Sequence, residues 1–193
     1  MKNSYRSIWL FALVFLCILL GCACSRKNRE VLVLLESQTD ASYDELQTAA
    51  RQWTEGKNIS IQIVAPKLSS IYEQQKILEN SIRDREWDLI VIEAFDEGSM
   101  YPLLDYARSR GSKIVSMQGM SGQIADYTIR SCRDEKAESW DRERMLLASL
   151  EVGGRVLDGR IKDTPDQLTT QVEGYRTLQL MGDGIYCGND NGD

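Results

Sequence analysis

Asp88-Leu89-Ile90-Val91-Ile92, running into Glu93-Ala94-Phe95-Asp96-Glu97-Gly98, decides the fold. Four consecutive apolar residues, three of them β-branched, predict a strand covered on both faces, and the polar loop after them marks its carboxyl end. Upstream, Val31-Leu32-Val33-Leu34-Leu35 has the same unbroken apolar character. Ile59, Ile61 and Ile63 instead alternate with Ser60 and Gln62 and continue through Val64, which predicts a strand with one wetter face, nearer the sheet edge. Downstream, Lys113-Ile114-Val115-Ser116-Met117 supplies a fourth strand. Between these runs lie helical spacings. Tyr43, Leu46, Ala49, Ala50 and Trp53 form one, closed by Gly56. Ile71, Leu78 and Ile82 form a second, capped by Ser69 or Ser70, and Met100, Leu103, Leu104 and Ala107 a third, closed by Gly111. Strands alternating with single helices through short connections predict right-handed βαβ units: an α/β, doubly wound parallel sheet over residues 31–122. Ligands of such sheets bind at the strand carboxyl ends. Here those ends are the loops Ser37–Ser42, Ala65–Ser70, Glu93–Gly98 and Gln118–Gly122.

Past Gly122 the pattern weakens. Tyr127-Thr128-Ile129 reads as a strand and Glu135–Leu150 as a helix. Gly153-Gly154-Arg155-Val156-Leu157 reads as a turn and short strand, and Thr164–Leu178 as a helix opened by Thr164-Pro165-Asp166. The mixed-sign run Arg130–Arg144 reads as a solvated helix face. Residues 181–193, rich in Gly, Asn and Asp, are expected to form a loose tail.

The amino terminus carries an address. Lys2 and Arg6 precede the apolar run Ile8–Leu20, which is about 20 Å long as a helix and too short for a hydrocarbon core of about 30 Å. It ends in Leu19-Leu20-Gly21-Cys22, and the segment resembles a bacterial lipoprotein signal: residues 1–21 are removed, Cys22 is lipidated and residues 22–30 are a tether. An ordinary secretory signal is the alternative reading. Cys24 is a poorer candidate for the lipidated residue. The lipoprotein reading places the protein on the bacterial cell membrane, facing the periplasm or cell exterior, held by acyl chains rather than by an electrostatic patch.

Composition excludes several chemistries. The 193-residue chain has no histidine, so Ser-His-Asp and Cys-His nucleophile systems and histidine-ligated zinc are ruled out. Its net charge is −6, and loss of Lys2 and Arg6 with the leader makes it −8, which argues against nucleic acid as a partner. Cys24, Cys132 and Cys187 would remain after lipidation, and their spacing fixes no disulfide. Gly182-Asp183-Gly184 lacks the strand and helix of a phosphate-binding loop, and Asn189–Asp193 lacks the ligands of a calcium loop, so no metal and no cofactor is expected.

Residues 31–122 resemble the amino-terminal lobe of type 1 periplasmic binding proteins, the sugar-binding components of ribose-type ABC transporters. Asp88–Asp96 resembles the family's D-x-I-I-I-x-x-x-D strand and loop, Ala107–Val115 its A-x-x-x-G-I-P-V-V element, and Gln74 or Gln75 the early glutamine of its second helix. Gly154–Gly159 resembles a glycine-flanked strand of the second lobe, and Val172-Glu173-Gly174-Tyr175 a following helix. The chain departs from the family at Gln118-Gly119 and Gln171, where arginines are usual, and at Cys132-Arg133 in place of an Asp-Asn pair. The resemblance implies an incomplete second α/β lobe over residues 123–180. It further implies a non-enzymatic lipoprotein that binds a small molecule, a sugar, and feeds an ABC permease or a sensor kinase. The implied ligand-binding residues are Asp40, Tyr43, Asp96 and Gln118. For Asp96 and Asp40 the competing reading is a helix cap, and for Tyr43 the first apolar position of its helix. The competing function is a truncated, non-binding remnant that acts as a protein-interaction module or retains no activity.

Overall fold

The computed structural model describes residues 28–39, 42–117, 125–130 and 142–160, together with the backbone of three further strands within 169–188. The elements are β1 (Arg29–Leu34), α1 (Tyr43–Thr54), β2 (Ile59–Val64), α2 (Ile71–Asp84), β3 (Leu89–Ile92), α3 (Glu97–Ser109), β4 (Lys113–Met117), β5 (Tyr127–Arg130), α4 (Arg142–Leu157), β6 (Thr169–Val172), β7 (Tyr175–Met181) and β8 (Ile185–Gly188). All eight strands belong to one sheet, in the order β2-β1-β3-β4-β5-β8-β7-β6. Strands β2, β1, β3, β4 and β5 are mutually parallel, β8 joins β5 in parallel, and β7 and β6 close the sheet in antiparallel fashion.

The two unbroken apolar runs sit where their sequence requires. In β1 and β3 every residue from Val31 to Leu34 and from Leu89 to Ile92 is fully buried, and side chains alternate between two cores. Val31, Val33, Leu89 and Val91 pack with Leu46 and Ala50 of α1 and Met145 and Leu146 of α4. Leu32, Leu34, Ile90 and Ile92 pack with Leu78 and Ile82 of α2 and Met100 and Leu104 of α3. Two helices on each face is the doubly wound arrangement expected. The alternating strand, β2, lies at the sheet edge with Gln62 exposed. Asp88 explains why an acid opens the motif: its carboxylate accepts the Glu30 N–H at 2.8 Å while its carbonyl accepts the Lys113 N–H at 3.0 Å, tying β3 to both neighbours. Asp126 repeats the device, accepting the Ile114 N–H at 2.7 Å.

The carboxyl-terminal part differs from the sequence reading in four places. Gly153–Leu157 is the end of helix α4, not a turn and strand. Its glycines serve close packing. A Cβ on Gly153 would lie 2.3 Å from Leu89 Cδ2, and one on Gly154 would lie 3.1 Å from Trp53 Cζ2. The helix expected over Thr164–Leu178 is replaced by β6 and β7, with Val172 paired opposite Tyr175. β-branched Thr169, Thr170 and Val172 favour extended backbone, while Thr164-Pro165-Asp166 lie outside the described residues. Tyr127–Arg130, placed by sequence in a second lobe, extends the first sheet beside β4, and Ile185–Gly188 is a strand within the expected tail.

Candidate functional site

The carboxyl ends of the parallel strands are where side chains free of the ladder gather. After β1 the chain leaves through Leu35–Thr39, after β2 through Ala65–Ser70, and after β3 through Glu93–Asp96. One residue joins the first and last of these loops. Gln74, in the first turns of α2, is fully buried. Its Nε2 donates to the carbonyls of Leu35 (3.1 Å) and Glu93 (2.8 Å), and its Oε1 accepts the Phe95 N–H at 2.9 Å. Both amide donors and one acceptor position are thereby used, which is what a buried primary amide requires. The β2 loop is joined on by Gln38, whose Nε2 donates to the Ala65 carbonyl at 2.7 Å and whose backbone N–H donates to the Pro66 carbonyl at 2.9 Å.

Glu93 is the second fixed point. Its side chain is 7% exposed, and its carboxylate accepts from Arg142 Nε (2.9 Å) and Nη2 (2.5 Å) and from the Glu36 N–H (3.2 Å). Arg142 opens α4, so this bidentate pair fixes the start of that helix to the end of β3. Arg142 was expected on a solvated face; with a side chain only 19% exposed it is instead the counter-ion of a buried acid. A buried glutamate at a strand end demands a cation, and that demand is the signal by which Arg142 could have been found. Glu36 and Ser69 complete the rim, the Ser69 hydroxyl donating to Glu36 Oε1 at 3.1 Å.

The candidate ligand residues fall differently. Asp96 is exposed and serves as the N-cap of α3, its carboxylate accepting the Ser99 N–H at 2.8 Å. Only one of its carboxylate oxygens is used in that bond. Tyr43 opens α1 and is half-buried, packed against the core shared by α1 and α4, which matches its competing reading as an apolar helix position. Asp40, Gln118, Cys22, Cys24 and Cys132 lie outside the described residues, and Cys187 lies in β8. The aromatic side chain that the loops do present is Phe95, 47% exposed, with its backbone held by Gln74. Among the described residues no group of His, Cys, Asp and Glu could hold a metal ion.

Parallel strands in the order 2-1-3-4-5, continued by β8, with helices on both faces and polar loops gathered at the strand carboxyl ends, define a doubly wound α/β fold. The comparison with solved structures agrees at the level of fold. LsrB from Clostridium saccharobutylicum, solved in complex with AI-2, matches over 71% of this chain and 40% of its own, at 14% identity and a TM-score of 0.50. A solute-binding protein from Clostridium phytofermentas with bound L-rhamnose matches over 53% and 32%, at 18% identity and a TM-score of 0.49. A sugar ABC transporter protein from Actinomyces odontolyticus matches over 56% and 35%, at 17% identity and a TM-score of 0.49. The chain spans about two-fifths of the length of LsrB. No protein-family model and no curated protein matches it.

Proposed function

We propose that the protein is a membrane-anchored extracytoplasmic solute-binding lipoprotein without catalytic activity, that its ligand is a sugar, and that it works with an ABC permease or a sensor kinase. The observation that carries this reading is the Gln74-centred arrangement of the strand-end loops, which fixes the backbone of exposed Phe95 at the carboxyl edge of the sheet, next in sequence to exposed Asp96. An exposed aromatic face beside a carboxylate with a spare oxygen suits a pyranose, whose C–H face stacks and whose hydroxyls donate. Likeness of fold to LsrB supports the same reading. Cys22, behind an apolar run that ends in Leu20-Gly21, is the proposed lipidation site, and Asp40, Tyr43 and Gln118 remain proposed ligand contacts.

A thermal-shift screen of monosaccharides at millimolar concentration tests the ligand. A sugar that raises Tm, and fails to do so in Phe95→Ala, supports the site; no shift with any sugar refutes transport-type binding. Labelled palmitate incorporation tests the anchor, with label expected in the wild type and absent in Cys22→Ser.

One observation favours a second reading, a non-binding interaction module. The Glu93 carboxylate is fully engaged by Arg142 and the Glu36 N–H, so it offers nothing to a ligand. Absence of sugar binding by a stably folded, lipidated chain would select this reading.

A further inference from the structure

At the opposite edge of the sheet, where the strands begin, α1 and α4 end side by side over a cleft of about 540 Å³. Arg29, Lys57, Arg155 and Arg160 line it, against only two acids, Glu151 and Asp158. Helix carboxyl termini carry partial negative charge, which accounts for cations settling there. Asp158 is shared between Arg29 (2.7 Å) and Arg160 (3.5 Å). Glu151 is held by Arg155 (2.9 Å) and by the Trp53 indole N–H (3.5 Å). Lys57 lies over the Trp53 ring, 3.8 Å from its centroid. The lining thus carries four cations against two acids on a chain whose net charge is −6. The carboxyl edge is the reverse: within its loops and first helical turns Glu36, Glu73, Glu93, Asp96 and Glu97 outnumber Lys67, Arg142 and Arg144.

The tether adds direction. Arg29 is the first residue of β1 and a wall of this cleft, and Cys22 precedes it by seven residues. Seven residues reach at most about 25 Å at about 3.3–3.6 Å each. A lipid on Cys22 therefore holds the amino edge of the sheet, the end nearest the tether, within about 25 Å of the bilayer.

We infer that the amino-edge cleft formed by Arg29, Lys57, Arg155 and Arg160 docks on the phosphates of anionic phospholipid headgroups, so that the acyl chains hold the protein and this face orients it with the Phe95–Asp96 edge directed away from the membrane. The inference rests on the lipoprotein reading of Cys22. Basic side chains gain attraction close to an anionic surface and lose it within a Debye length, so the contact is short-ranged and sensitive to salt.

Two lysines of the chain provide the test. Lys57 belongs to the cleft, whereas exposed Lys67 lies in the loop after β2, at the far edge. The full-length lipidated protein is reconstituted in vesicles of phosphatidylcholine alone or with a third of phosphatidylglycerol, and acetylation of the two lysines is followed by mass spectrometry. The expected result is a Lys57-to-Lys67 labelling ratio lowered on the order of tenfold on anionic vesicles. That suppression should vanish in high salt and in Arg160→Glu, whose side chain is 74% exposed and so outside the core. Equal ratios on the two vesicle types, with palmitate label present, overturn the docking and leave the anchor standing. Absence of palmitate label overturns both. Suppression on neutral vesicles by soluble glycerol phosphate assigns the cleft to a free anion and also overturns the proposal.

Discussion

Gln74 is the side chain on which the carboxyl edge of the sheet depends most, and its removal has a calculable cost. Gln74→Met keeps the volume and the unbranched shape but deletes three hydrogen bonds in a site with no solvent exposure. The carbonyls of Leu35 and Glu93 and the N–H of Phe95 lose these partners. Each stranded group costs about 1–3 kcal/mol, and the lower end applies because a carbonyl retains a second lone pair and the loops lie near solvent, giving about 3 kcal/mol in all. For a chain of this size that corresponds to a fall in Tm of about 6–12 °C. Urea unfolding followed by tryptophan fluorescence measures it directly, since Trp87 is 3% exposed and bonded to the Ser81 carbonyl in the folded state. Gln74→Glu sharpens the test. At neutral pH its carboxylate still accepts the Phe95 N–H but opposes two carbonyl oxygens, so the loss should match or exceed that of the methionine variant. Burial and this repulsion favour the neutral acid in the fold and raise its folded-state pKa. The variant should therefore be most stable in acid and lose stability as pH rises beyond about 4.3, the unfolded value, toward the raised one. A loss below about 0.5 kcal/mol in Gln74→Met would show that the three backbone groups find other partners, and the latch would not exist as described.

Arg142→Met and Glu93→Met should each destabilise by about 3 kcal/mol by stranding a largely buried charge, while the double variant recovers most of the loss; urea titrations arranged as a double-mutant cycle would detect additivity, which contradicts direct pairing. Gly153→Ala should cost about 1–3 kcal/mol by overpacking Leu89, despite a gain of up to about 1 kcal/mol in helix propensity, whereas Gly154→Ala should be close to neutral; equal thermal stability of the two would refute the close approach. Asp96→Ala should lose about 1 kcal/mol as the α3 cap is removed, and Asp96→Asn only a few tenths. If Asp96 also binds sugar, Asp96→Asn nevertheless abolishes the sugar-induced Tm shift; a retained shift removes it from the site.

The parallel sheet was legible because its evidence is local. Apolar runs at 31–35 and 89–92, the half-alternating 59–64, and helical spacings between them each point to one arrangement, and 31–35 and 89–92 are buried throughout. The carboxyl-terminal third was less so, because glycine has two uses. Gly56 and Gly111, with φ of 71° and 97°, end helices as their position suggests, whereas Gly153 and Gly154 sit inside one to admit Leu89 and Trp53. Sequence shows a glycine but not the neighbour that needs the space. The same limit applied at the candidate site. Asp96 was placed at the right strand end with its capping role already weighed, yet Arg142 lies 49 residues from Glu93, and the demand of a strand-end glutamate for a cation does not say which one meets it. Phe95 passed as a loop residue because exposure of an aromatic side chain is a property of the surroundings rather than of the letter.

The core of β3 has a further consequence, which concerns length rather than chemistry. Asp88 holds the neighbouring strands at one end, Glu93 holds Arg142 at the other, and between them lie four residues whose side chains alternate between two filled cores. The segment is thus a gauge block: its span of about 16 Å sets the distance between the two edges of the sheet. A deletion of one residue there cannot be absorbed by sliding, because the side chains on one side of it would change faces while one of the two carboxylates left its partner. Changes in length should therefore be excluded from Leu89–Ile92 and tolerated in exposed turns such as Gly56–Asn58, and a deletion scan read out by soluble expression would display this contrast as a sharp boundary at the strand ends.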